Sequence, residues 1–337
     1  TSTVQANTAA GFSILTYSGT NNGSSATLGT GFDSAVDFVI IKATNSAQAW
    51  QVFTNISGVG RLELNSSGAE DTGNLLTFNS NGTVQFPSQN GAWNESGKDY
   101  VAYCFKSIDS FSKFGSYTGN GSADGPIIET GFEPAFLMIK RTDTDPTSGG
   151  NTTWIMYDNK RSTSNPRKIR LWADNSQAEA TYTQYSIDFL SNGFQLKDGS
   201  SGFAQNTDGG EYIYMAFAAD PDTEQPTLAR SFDVSTYTGN ATNNSVDIGF
   251  DAGLTWIKNR TDAGSYHILF DKVRGLNQVI HSNLTNAEQG SSNNFEYDDG
   301  TLSFDGSTTW GNKSGSNYVA WAWKADDNEP TIFGGPA

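Results

Sequence analysis

Charge and sulfur are both scarce in this chain. Of 337 residues one is a cysteine, Cys104, so no intrachain disulfide can form. Only two histidines occur, His267 and His281; with one remote cysteine they make no zinc site. No Ser/His/Asp arrangement recurs, and no Gly-rich phosphate loop stands between a strand and a helix. Charged residues make up 17%, with 20 Lys and Arg against 36 Asp and Glu and a formal net charge of −16. An acidic chain has no electrostatic reason to bind nucleic-acid phosphates, and an anionic membrane surface repels it. No apolar run of about 18 residues is present, so no membrane insertion is expected. The chain shows no signal peptide and begins at Thr1 without Met, which reads as a processed protein or a fragment.

Glycine and aromatic residues are plentiful instead, with Gly 36 and aromatics at 12%. Disordered chains are poor in aromatics and rich in charge, so this chain folds. Gly, Asn, Ser and Thr crowd the segments between apolar runs, as in many short strands joined by turns. One block of sequence is written three times. It opens on Tyr17-Ser18-Gly19-Thr20, Tyr117-Thr118-Gly119-Asn120 and Tyr237-Thr238-Gly239-Asn240. A Gly-Phe pair follows at 31–32, 131–132 and 249–250, then an apolar run ending on Lys42, Lys140 or Lys258. Each copy closes on an aromatic strand, at 100–106, 212–218 and 318–324. A period of about 100 residues is a domain period, too long for a solenoid repeat.

Alternate side chains of a strand point to opposite faces. One face of the closing strands carries Val101, Tyr103 and Phe105, then Ile213, Met215 and Phe217, then Val319, Trp321 and Trp323. The other carries a tyrosine and mostly small residues, Cys104 sharing a slot with Ala216 and Ala322. That slot makes Cys104 a small buried hydrophobe rather than a reactive thiol. A strand apolar on both sides is central in a sheet covered on both faces, or lies where the sheet curves sharply. Asn81-Gly82, Asn192-Gly193 and Asp299-Gly300 sit between later strand pairs, as hairpin turns. No amphipathic helix longer than two turns is found. The fold expected is all-β: three tandem jelly-roll-like β-sandwich domains of concanavalin or laminin-G type.

The repeats are expected at 1–108, 109–220 and 231–326. A Pro-containing linker occupies 221–230, and 327–337 is a tail or a linker to a further domain, since it resembles the start of that spacer. Repeats one and two meet through 107–110 alone and should be nearly rigid neighbours. Repeats two and three are joined by an exposed, semi-stiff spacer.

Candidate chemistry is thin. Asp158 with Arg161 and Asp271 with Arg274 share a spacing, while Thr54 and Ser57 replace both in repeat one. Joint loss points to structural pairs in which acid and base bond each other. Glu70, Glu179 and Glu288 recur, but a glycosidase needs two carboxylates about 5–10 Å apart, and no partner recurs. These glutamates read as turn or cap residues, and no catalytic residue is assigned. Local acid clusters at Asp298-Asp299 and at Asp143 with Asp145 leave structural Ca²⁺ as a minor alternative to no cofactor at all. Neither follows an EF-hand pattern. Loop aromatics point best to binding: Trp93 and Trp310 each precede the closing strand by a similar distance, with Phe203 nearby in repeat two. An exposed ring beside amides is what a sugar stacks on; a loop aromatic tucked over the core edge is the plainer alternative.

The pattern Tyr-Thr-Gly-Asn, Gly-Phe, Trp-Ile-Lys-Asn-Arg at 256–260, His-Ile-Leu-Phe-Asp-x-x-Arg-Gly at 267–275 and Tyr-Val-Ala-Trp-Ala-Trp-Lys at 318–324 resembles a repeat of tailed-bacteriophage virion proteins. Those are tail-fibre or appendage proteins, many from marine phages. Repeat three matches best and repeat one least. The resemblance implies a virion or extracellular location, a non-enzymatic structural or adhesion role, other virion chains and copies of itself as partners, and contact with host-surface glycans. It brings no catalytic residues.

Overall fold

The computed structural model describes residues 2–22, 26–88, 91–144, 152–197, 205–218, 231–291, 294–306, 310–325 and 331–333. Among these residues every regular element is a strand. The protein is all-β, built from several sheets packed face to face in the manner of a β-sandwich. Each repeat contributes one large antiparallel sheet and one of three strands.

The closing strand is central in every large sheet. Asp99–Phe105 lies between Phe12–Ser18 and Phe38–Ala43. Glu211–Ala218 lies between Ser112–Thr118 and Pro134–Arg141. Asn317–Trp323 lies between Phe232–Thr238 and Leu254–Asn259. Next outward come Gln51–Thr54, Ile155–Asp158 and Ile268–Asp271. The small sheets use the hairpins legible in the sequence, except that in repeat two Gly193 opens the second strand opposite Leu190, so Ser191 and Asn192 make the turn. Asp298 pairs with Thr301, and the two turn residues Asp299 and Gly300 stand at φ 47° and 79°, as a type I′ turn requires.

The closing strands are apolar on both faces because both are covered. Their small faces, with Ala102, Cys104, Ala216, Ala320 and Ala322, pack toward the small sheets in three private apolar clusters. Their bulky faces enter one cluster common to all three repeats. Trp323 shows how closely they meet. Its ring lies 6.5 Å from Phe12 and 6.4 Å from Phe105 of repeat one, and 5.7 Å from Phe217 of repeat two. The three large sheets thus turn their bulky faces on one another, and the repeats are not separate beads.

This corrects the expected contrast between a rigid and a loose joint. The spacer 221–230 lies outside the described residues. Across it Phe217 of repeat two stacks on Phe232 of repeat three at 5.0 Å. Of the tail 327–337, Thr331–Phe333 forms a strand antiparallel to Ser2–Asn7, on the outer edge of repeat one's sheet; the rest is outside the described residues.

The recurring glycines have backbone causes. Gly31, Gly131 and Gly249 stand at φ 86°, 91° and 82°, in the left-handed region that side chains resist. At Gly19, Gly119 and Gly239 a Cβ would fall within 2.1, 2.3 and 2.3 Å of the carbonyl oxygens of Glu95, Thr207 and Lys313. No side chain fits there.

Candidate functional site

The acid–base pairs form, and they reach further than the sequence implied. Arg161 Nε donates to Asp158 Oδ2 at 2.6 Å, and Arg274 Nε to Asp271 Oδ2 at 2.7 Å. All four side chains are buried. Each carboxylate also takes a donor from a neighbouring repeat. Trp321 Nε1 of repeat three donates to Asp158 at 3.2 Å, and the Tyr103 hydroxyl of repeat one to Asp271 at 2.8 Å. Tyr103 and Trp321 hold the same place on their closing strands. The third such place is Met215, which has no hydrogen to donate. The acceptor it would face belongs to repeat one, where Thr54 stands in place of the acid. Donor, acid and base are therefore missing together. Ile56 and Val59 pack against the shared core there instead. Exchanging a buried ion pair for apolar packing is a near-neutral trade only when the whole unit changes.

Other bonds cross the same seams in the same order. Trp50 Nε1 donates to His281 O, Trp154 Nε1 to Glu63 O, and His267 Nε2 to Trp172 O, at 2.9, 2.9 and 2.8 Å. The recurring glutamates lie here too. Glu70 N, Glu179 N and Glu288 N donate to the carbonyls of Thr142, Arg260 and Thr44. Each seam repeats the last by a cyclic step, so the chain is pseudo-threefold. The Glu179 carboxylate takes two bonds from Arg260, at 2.8 and 2.9 Å, and Glu288 takes one from Arg274 at 3.1 Å. The backbone N–H groups of these glutamates join repeats, while the Glu70 carboxylate accepts the N–H of Gly60 in its own loop, as a turn-capping residue does.

His267 replaces the tryptophan of the other repeats while Trp256 replaces Ile40 and Met138, so bulk is exchanged across one strand pair. His267 Nδ1 accepts the Trp256 indole N–H at 2.7 Å and Nε2–H donates to Trp172 O. Both nitrogens are occupied in the neutral ring. Burial, with the Lys258 charge nearby, holds its pKa well below the ordinary histidine value.

The strand-end lysines are wholly buried. Lys140 Nζ donates across a seam to Gly68 O at 2.8 Å, and to Arg141 O and Thr152 Oγ1 at 3.0 and 2.5 Å. Burial pushes Lys140 down to about 7, against the pull of Asp174 and Asp143. Burial likewise takes Lys42 and Lys258 to about 8. An unfolded lysine titrates near 10.4. Between about pH 7 and 10 the unfolded chain thus holds protons that the folded chain has released, and stability climbs with pH. The melting temperature is expected to rise from pH 7 to about 9.5, and Lys140→Met to flatten the rise. A wild-type melting temperature that stays level or falls across that window would contradict the burial argument; differential scanning calorimetry reads it.

One recurring set was missed in the sequence. Asn94, Asn206 and Asn312 are buried and stand the same distance before Tyr100, Tyr212 and Tyr318. Their side-chain oxygens accept the backbone N–H of Thr20, Asn120 and Asn240 at 3.0, 2.9 and 3.0 Å. The tyrosines of the opening mark stack on the closing-strand tyrosines, at 5.0, 4.9 and 5.1 Å. Their hydroxyls donate to the carbonyls of Trp93, Gln205 and Gly311. The constant Asn-to-Tyr spacing was the available signal.

That register also separates the two loop tryptophans. Trp93 corresponds to Gly311, not to Trp310. Trp93 is only 3% exposed. Its ring meets Phe53 edge-on at 5.7 Å, with the Arg61 guanidinium 4.9 Å over its face. It presents no face to a sugar, so the plainer alternative describes it. Trp310 is half-buried, its ring 5.3 Å from His281 and nearly perpendicular. His281 lies 5.5 Å from Tyr266, which is 46% exposed. Trp310, packed against the core of repeat three, and the exposed Tyr266 thus both lie beside one buried imidazole. Phe203 lies outside the described residues.

Cys104 is inert and Asp143 is occupied. Burial pushes the Cys104 thiol up to about 12, far from a reactive thiolate. Asp143 is held by Arg141 at 2.8 and 2.9 Å, and Asp145 lies outside the described residues. Among the described residues no group of three or more His, Cys, Asp or Glu side chains could hold a metal, and no helix is long and apolar enough to cross a membrane.

Residues 1–221 and 229–332 match the family model described as a domain of unknown function (DUF7483). The break between the two matches falls within the spacer. No curated protein matches the chain.

Proposed function

The chain belongs to the DUF7483 family; from the resemblance of its repeats to those of tailed-bacteriophage virion proteins we propose that it is a non-enzymatic virion protein of tail-fibre or appendage type. In this reading its three repeats are jelly-roll-like sandwiches that act as one rigid block, with structural and adhesive roles. One observation carries it. The polar residues that recur in the repeats, namely the asparagines, lysines, glutamates and Asp–Arg pairs, are bonded inward or across seams. The repetition therefore serves architecture, not a catalytic site written three times. Other virion chains and copies of itself are the partners this role requires. Host-surface glycans are its ligands, and the Tyr266–Trp310 pair is the surface that could stack them. A neutral sugar suits a chain of net charge −16. A capsid-decoration or extracellular filament subunit is the second reading, favoured by the burial of Trp93. A carbohydrate-active enzyme is the third.

Antibody against the chain should label intact phage particles, and unlabelled particles would remove the virion reading. A multimerised chain on a glycan array should bind weakly, with avidity raised by repetition. A reducing-sugar assay should detect no release. Sugar release that vanishes on replacing a single carboxylate would overturn the non-enzymatic role.

A further inference from the structure

Repeat one departs from the others at the loop after Gln51–Thr54. In repeats two and three an aspartate ties this loop back, its Oδ1 accepting Arg161 N at 2.8 Å or Arg274 N at 2.9 Å. Thr54 offers no carboxylate. With no arginine at position 57, the recurring glutamate of repeat one is also released from the role of Glu288. Glu70 Oε2 accepts Gly60 N instead, at 2.6 Å. The loop 55–60 then forms one wall of a groove of about 480 Å³, with 75–78 as the other. That volume is within the range of small-ligand sites.

The lining has a definite chemistry. Ile56, Leu75 and Phe78 supply apolar surface, and Leu75 is 39% exposed. Asn55, Ser57 and Thr77 supply an amide and two hydroxyls. No lining residue carries a charge. An anion finds no cation here, and a cation finds no carboxylate. A wholly apolar occupant would cover the amide and hydroxyls without replacing their bonds to water. A pyranose has an apolar C–H face and a rim of hydroxyls, and matches both kinds of lining.

We propose that this groove binds a neutral saccharide, as a site present in repeat one because that repeat lost its Asp–Arg pair; the proposal rests on the host-glycan contact above. The test is an array of neutral, sialylated and sulfated oligosaccharides probed with the multimerised chain. Neutral glycans should bind. Thr77→Arg, which puts a charged chain into the groove from an exposed strand, should lower binding at least about tenfold. Asn55→Ala should lower it about fivefold; its exposed side chain keeps the test available if Thr77→Arg fails to fold. Ile127→Ala, at an exposed position of repeat two outside the groove lining, should leave binding within about twofold. Glycan binding that survives both groove substitutions overturns the groove and leaves the adhesion reading standing. If the wild-type chain binds no glycan at all, the adhesion reading falls and takes the groove with it.

Discussion

Trp323→Ala is expected to destabilise all three repeats together, by about 3–5 kcal/mol. The ring is 2% exposed and touches aromatic residues of every repeat. Its removal opens a cavity where the sheets meet, and no single repeat can relax to fill it alone. Urea denaturation followed by far-UV circular dichroism and tryptophan fluorescence should show one transition, shifted as a whole. A biphasic curve, with one third of the signal lost early, would mean that the repeats fold as independent beads. Trp323→Phe keeps an aromatic ring and should recover much of the loss.

The second large effect is at the seam between repeats one and three. Asp271→Ala should cost about 3 kcal/mol, because it leaves the buried Tyr103 hydroxyl without its acceptor and Arg274 with only the half-buried Glu288 carboxylate. The triple change Tyr103→Met, Asp271→Thr and Arg274→Ser writes the residues of the two–one seam into this position. It should be less destabilising than Asp271→Ala alone, since groups that act as a unit are not additive. Chemical denaturation of the two variants side by side decides the matter. A triple variant as unstable as the single one would show that Tyr103, Asp271 and Arg274 do not form one unit.

The pairing of Asp158 with Arg161 was legible because both elements sit three apart on one loop and vanish together. The role of Tyr103 and Trp321 as third members was not. Their partners lie more than 160 positions away, at |i−j| of 168 and 163, and nothing local marks such a pairing. Trp93 and Trp310 looked equivalent by their distance to the closing strand. The Tyr17 and Tyr237 hydroxyls show that Trp93 matches Gly311, so one ring is buried and the other half-buried.

Local order is legible in the residues alone. Period-2 alternation, Gly-Asn-Ser punctuation and two-residue turns specify strands, hairpins and a threefold repeat, because these depend on neighbours a few residues apart. The sequence also showed that the closing strands are apolar on both faces, and hence that something must cover each. What covers each face emerges from long-range packing. The bulky face of one repeat could be buried by a partner chain, a sheet of its own repeat or another repeat, and each choice removes a similar apolar area from water. Non-local hydrogen bonds resolve that choice. The seams match donors such as Tyr103 and Trp321 to acceptors in particular other repeats, and the three sheets close on one common core.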